Sequence, residues 1–192
     1  LSRGHDVTVF GREPLPPIAE TAFATLPGRL RAVQGDVRDA LVLKTLFASE
    51  KFDTVFPFAA VTSGPAREAE DPETVLQVNL LGTLATLRAA REVSVRRVIV
   101  PSSTAVYGES SYAYPLMREA DTPCIPTGLY GVTKYAVERM GLRLGALWGL
   151  DVIAARISAV FGPWERDTGV RDTIGPHTRI AAAALRGESV VL

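Results

Sequence analysis

Two short stretches hold the residues most able to do chemistry, Ser102-Ser103-Thr104 and Tyr130-Gly131-Val132-Thr133-Lys134. Tyr130 and Lys134 stand at i and i+4, so on a helix they lie one turn apart on a single face. A phenol that titrates at about pH 10 is a poor base at neutrality, and a neighbouring ammonium stabilises its phenolate and lowers that value. The hydroxyls of Ser102, Ser103 and Thr104 come at the end of an apolar strand, which would set a serine beside the phenol. Such a set fits taking the proton from an alcohol while its carbon loses a hydride. The everyday uses of the same groups are a solvated i, i+4 pair and a hydroxyl bonded to a strand-end carbonyl.

These residues need a strand and a helix to hold them. The β-branched run Val98 to Val100 predicts a buried strand ending at the serines, and Tyr130 opens a helical pattern to Trp148 that Gly149 caps. Further strands are expected at Asp6–Phe10, Leu30–Val33, Asp53–Phe58 and Asp151–Ile157. Helices are expected at about Ala40–Ser49, from Asp71-Pro72 to Arg91, and at about His177–Arg186, with a new strand beginning at Ser189. The proline-rich segment through Pro14, Pro16 and Pro17 and the polar segment before Asp71 read as loops. Alternating strands and helices predict βαβ units, and hence an α/β fold with a doubly wound parallel sheet. Ligands bind such sheets at the carboxyl ends of the strands. Gly11-Arg12, Asp36, Ala59-Ala60, Ser102-Ser103 and the segment Ser158 to Pro163 all follow strands and so would line one rim.

Composition narrows the classes. A chain of 192 residues with 47% hydrophobic content can bury one sizeable core. Basic and acidic residues balance at 21 each, with no basic run to attract nucleic acid. The single cysteine, Cys124, allows neither an internal disulfide nor a multi-cysteine metal site, and agrees with a reducing, cytoplasmic setting. His5 and His177 lack ligand-spaced neighbours, so no metal site is expected. No apolar run reaches the length of a membrane span.

The run Ser102-Ser103-Thr104-Ala105-Val106-Tyr107-Gly108, then Tyr130-x-x-x-Lys134 and Phe161-Gly162-Pro163, resembles the extended short-chain dehydrogenase/reductase family, the NAD-dependent epimerase/dehydratases. Asn79-Leu80-Leu81-Gly82-Thr83 looks like that family's Asn-x-x-Gly-Thr helix, and Gly35-Asp36-Val37 like its adenine-contacting strand end. The resemblance covers essentially the whole chain and implies a Rossmann-like fold. It implies Ser103, Tyr130 and Lys134 as catalytic residues. As contacts to NAD or NADP it implies Arg12, Asp36, Val37, Ala59, Ala60, Asn79, Tyr130, Lys134 and Ile157. The substrate would be a sugar or sugar-like alcohol, and a homodimer is compatible with the family.

Departures from the family pattern sharpen this. The 4,6-dehydratases carry an Asp-Glu pair where this chain has Thr104 and Ala105, which disfavours water elimination. Ala159 stands where many members that hold a nucleotide diphosphate sugar have Asn, and this makes a smaller sugar or sugar acid plausible. The charged run Arg166 to Asp172 beside the rim is another candidate for substrate contact. Gly11-Arg12 ends the first strand without the acid that bonds a ribose 2′-hydroxyl, and Arg12 could pair with a 2′-phosphate, which leans the cofactor choice toward NADP. Alternatives are a simple carbonyl reductase of the same family and a regulatory NAD(P)-binding protein without catalysis.

Leu1 to Gly4 reads as the end of a helix with a glycine cap, so a preceding segment is expected to be missing. The family's Gly-x-x-Gly-x-x-Gly turn occurs nowhere in the chain, and its first strand would lie between Asp6–Phe10 and Asp53–Phe58. Residues 1–188 are thus read as an N-terminally truncated dinucleotide-binding domain, and 189–192 as the start of a C-terminal substrate-binding region. The 192 residues alone are expected neither to fold cooperatively nor to bind a dinucleotide.

Overall fold

The computed structural model describes residues 1–162, 165, 169, 171, 172 and 175–189. Along the chain run β1 (Val7–Gly11), α1 (Pro17–Phe23), β2 (Leu30–Gln34), α2 (Ala40–Ser49), β3 (Thr54–Val55), α3 (Pro65–Glu70) and α4 (Pro72–Leu76). A π-helical turn (Gln77–Gly82) leads into α5 (Thr83–Glu92), followed by β4 (Arg97–Ser103), a 3-10 turn (Thr104–Val106) and α6 (Ser110–Ala113). Then come α7 (Leu129–Trp148), β5 (Asp151–Ile157) and α8 (Pro176–Arg186).

Among the described residues every strand pair is parallel: β1 with β2, and β4 with β3 on one side and β5 on the other. Parallel neighbours need a crossover rather than a hairpin, and helices provide it in each case. The fold is α/β, as the alternating pattern predicts. β4 is the central strand of its sheet, and its Val98 and Val100 are fully buried. They share a core with Leu43, Leu46 and Phe47 of α2, Leu87 and Ala90 of α5, and Val137 of α7.

Local chemistry sets several boundaries. Asp39 caps α2 by accepting from the backbone N–H groups of Leu41 and Val42. Asp71 caps α4 in the same way through Thr74 N, with Pro72 at the first helical position. Gly149 ends α7 in the left-handed conformation, φ 65°.

Other expectations need correction. The strand expected over Asp53–Phe58 is cut to Thr54–Val55, because Pro57 has no N–H to give a ladder and Phe58 N turns back to Phe56 O at 2.8 Å. The first residues form a turn in which Gly4 N donates to Leu1 O, rather than the end of a helix. The prolines at 17 and 65 start short helices where loops were expected. The helix from Pro72 to Glu92 is interrupted by the wide π turn, where Thr83 Oγ1 donates to Asn79 O at 2.7 Å and Thr86 Oγ1 to Gly82 O at 2.9 Å. The strand expected beyond Ser189 lies outside the described residues.

The sheet is in two parts, β1–β2 and β3–β4–β5. Among the described residues β1 pairs only with β2, and β3 only with β4. Val9 on β1 is 40% exposed and Phe58, past the end of β3, 61%.

Candidate functional site

β4 ends in two serines with different surroundings. Ser102 is buried, and its hydroxyl donates to Glu138 Oε2 at 2.8 Å. Ser103 is half-buried, and its Oγ accepts from Ala105 N at 3.1 Å, capping the 3-10 turn. That bond uses an oxygen lone pair and leaves the hydroxyl proton for another acceptor.

The first turn of α7 is fixed from several directions. Lys134 is buried, and its Nζ donates to Pro101 O at 3.0 Å, one residue from the serines. The ammonium lies 5.7 Å from the centre of the Tyr130 ring. Gly131 packs against the 3-10 turn so closely that a Cβ there would stand 2.8 Å from Ala105 O. This contact brings the turn carrying Tyr130 against the segment that follows Ser103. Thr133 Oγ1 donates to Tyr130 O at 2.8 Å and accepts from Asn79 Nδ2 at 3.0 Å. Glu68 of α3 closes the helix end, accepting from Leu129 N at 2.7 Å and Tyr130 N at 3.4 Å.

Burial lowers the Lys134 pKa to about 8. The folded value lies below the unfolded one, so the chain is penalised for holding the ammonium at pH 7 and relieved as pH rises from about 8 toward the unfolded value. Lys134→Met in the full-length protein is therefore expected to raise the melting temperature at pH 7 by a few degrees. The gain should shrink to nothing by about pH 10, where the parent lysine is itself neutral. Thermal denaturation of both proteins across that range is the check, and a variant that melts lower at pH 7 would contradict the burial penalty.

The remaining expected residues are spread along the rim. Arg12 follows β1 and is exposed, and its carbonyl accepts from Gln34 Nε2 at 3.2 Å. Asp36 follows β2 and accepts from Arg38 Nε at 3.0 Å and Nη2 at 2.6 Å; those hydrogen bonds, with the charges of Arg38 and Arg12, hold its carboxyl below its ordinary value. Val37 packs against the π turn, since a Cβ on Gly82 would meet its side chain at 2.8 Å. Ala59 and Ala60 are half-buried just past β3, and Ile157 is the last residue of β5.

Asn79 is different. It is buried, accepts from Val61 N at 2.7 Å and donates to Val61 O at 3.0 Å as well as to Thr133. Its amide thus ties the loop after β3 to α7 rather than standing open toward the rim. Phe161 stacks on His177 with ring centres 4.9 Å apart, and Ala159 is exposed. Pro163, Trp164 and most of the charged run Arg166 to Asp172 lie outside the described residues. Of that run, Asp172 accepts from Arg67 Nε at 2.6 Å and Gly64 N at 2.5 Å, bonding the loop after β3.

Sequence reasoning missed Glu68, Glu138 and Arg156. Arg156 Nε and Nη2 donate to Glu138 Oε2 and Oε1 at 2.9 and 2.7 Å, beneath the serines. Burial pushes the Glu138 carboxyl up, but the hydrogen bonds from Arg156 and Ser102 outweigh it and leave the group below its ordinary value. A signal was present: an arginine within the apolar strand Asp151–Ile157 requires a buried partner.

Comparison with known proteins bears on the family and the fold. The family model described as "NAD dependent epimerase/dehydratase family" matches residues 1–192. The UDP-glucose 4-epimerase of Lacticaseibacillus casei is 31% identical over 158 residues, 82% of this chain and 46% of that protein. A dTDP-glucose 4,6-dehydratase of Mycolicibacterium smegmatis is 33% identical over 154 residues, 80% of this chain and 43% of that protein. Among solved structures, MoeE5 in complex with UDP-glucuronic acid and NAD is 35% identical with a TM-score of 0.75, covering 98% of this chain and 56% of that one. The chain spans about half the length of the curated relatives it matches, 46% and 43% of the two above.

Proposed function

Given that the chain belongs to the NAD dependent epimerase/dehydratase family, we propose that the full-length protein epimerises or oxidises a sugar carbon, with Tyr130 exchanging the hydroxyl proton. Bound NAD or NADP supplies the hydride acceptor. Tyr130 takes the proton, and the Lys134 ammonium favours its phenolate. Ser103 holds the substrate oxygen with the hydroxyl proton that its bond to Ala105 leaves unused. The observation that carries the reading is the buried ammonium of Lys134 set 5.7 Å from the Tyr130 ring. An ammonium carries three donors and Pro101 O takes one, so the side chain retains N–H groups for a cofactor ribose.

The relatives named for UDP- and dTDP-sugars support a nucleotide-linked sugar as substrate. Thr104-Ala105 in place of an acidic pair weighs against a 4,6-dehydration, and Ala159 weighs toward a smaller sugar or sugar acid. The test is a panel for the full-length protein: UDP-glucose, UDP-glucuronic acid and UDP-N-acetylglucosamine beside free sugars and sugar acids, each with NAD and NADP. Epimer formation or cofactor reduction with a member of the panel is expected. Tight cofactor binding without turnover of any of them would favour the non-catalytic alternative.

We read Arg12, exposed directly after β1, as favouring NADP. Arg12→Ala should weaken NADP far more than NAD, since only NADP presents a phosphate and a charge-assisted bond is worth about 1.5 to 3 kcal/mol. Titration of both cofactors measures this. An equal effect on the two would leave Arg12 an ordinary surface cation.

A further inference from the structure

We propose that Glu138 and Arg156 are positioning residues, whose buried ion pair holds the end of β4, and with it Ser103, in register with Tyr130 and Lys134. The proposal rests on reading those three residues as the reacting set.

Three elements meet at this pair. Glu138 stands on α7 one turn beyond Lys134, Arg156 is the penultimate residue of β5, and Ser102 immediately precedes Ser103 on β4. The two charged side chains are only 12% and 5% exposed and meet through two parallel hydrogen bonds. Ser102 donates to the same carboxylate at 2.8 Å. Arg156 Nη1 donates to the Tyr107 hydroxyl at 2.9 Å and to Glu119 O at 3.3 Å, and the guanidinium lies over the Tyr107 ring, 5.0 Å from its centre. The arginine thus joins the helix to the segment that follows the 3-10 turn, and Ser102 joins the strand end to the same carboxylate.

The result is a double fastening of the strand end. Pro101 is bonded to α7 through Lys134 Nζ, and Ser102 through Glu138, so the two residues before Ser103 are both fixed to the helix that carries Tyr130. Neither Glu138 nor Arg156 is needed merely to fill space. Apolar residues of similar volume often stabilise a fold as well as a buried ion pair does. What the pair adds is direction, because two-pronged guanidinium–carboxylate bonds fix angle as well as distance. Direction matters here, since a misplacement of about 1 Å can cost on the order of 100-fold in rate.

The experiment replaces the pair by apolar residues, Glu138→Leu with Arg156→Met, in the full-length protein, assayed on the best substrate of the panel above. Ser102 then keeps the Lys134 carbonyl, 3.5 Å away, as an acceptor. The double variant is expected to melt within a few degrees of the parent and to keep the parent's KM for the cofactor. Its kcat should nevertheless fall at least about tenfold. Parent kcat in that folded variant would overturn the proposal, as would a loss carried wholly by KM. If the double variant does not fold, Ser102→Ala decides. A fall in kcat of more than about threefold at unchanged melting temperature upholds the proposal, and a smaller one overturns it. Tyr130→Phe separates the two levels: if it stays active, the reading of the reacting set fails, whereas an inactive Tyr130→Phe beside a fully active double variant removes only the role of the pair.

Discussion

Tyr130→Phe in the full-length protein is expected to lose about 10²- to 10⁴-fold of its turnover, the range typical of a positioned acid/base. The ring stays, so its packing stays, and so does the contact of Gly131 with Ala105 that sets the helix against the 3-10 turn. Only the phenolic proton carrier goes. Cofactor affinity should therefore remain close to the parent's, because Lys134 and its bond to Pro101 are untouched. Steady-state kinetics with a parallel cofactor titration measure both quantities. A variant retaining even about a third of the parent rate would show that another group exchanges the proton, because losing a true acid/base costs far more than that.

A polypeptide limited to residues 1–192 is expected to show no sharp thermal transition and no rise in melting temperature with NAD or NADP. The two-part sheet is the reason. Val7 and Val9 on β1 and Phe56 and Phe58 just past β3 are 36%, 40%, 49% and 61% exposed. Fully burying such a side chain is worth about 1.5 to 3 kcal/mol, so leaving four of them partly uncovered forgoes several kcal/mol. Domains of this size hold only about 5 to 15 kcal/mol of net stability. Differential scanning calorimetry with and without cofactor is decisive: a cooperative transition that NADP raises would show that β1–β2 and β3–β4–β5 support one another without an intervening strand.

Much of this was legible in the residues. Helix α2 and strand β5 fall where the pattern puts them, because Asp39 is a strong cap and the run from Val152 to Ile157 alternates nowhere with turn formers. The closeness of Lys134 to Tyr130 follows from their i, i+4 spacing on α7, while its bond to Pro101 at the end of β4 depends on that helix packing on the strand. The shortened β3 was harder to see, since the apolar run continues past Pro57 and only the lost N–H shows where pairing stops. Helices α1 and α3 are too short to display a period. The bond from Asn79 to Val61 and the pair Glu138–Arg156 depend on which elements become neighbours in space, and no local spacing encodes that.

The wide turn at Gln77–Gly82 governs the phase of the long helix it interrupts. Each residue of an α-helix advances the direction of its side chain by about 100°. Deleting one residue inside this turn would leave a continuous and perfectly respectable helix, yet its two halves would face different ways. With Leu87 and Ala90 kept in the core, Asn79 would swing away from Val61 and Thr133; with Asn79 kept in place, Leu87 and Ala90 would rotate out. Aligning related chains across this segment therefore carries a geometric meaning that loop gaps lack: a single-residue gap here is a rotation of one half of the helix against the other.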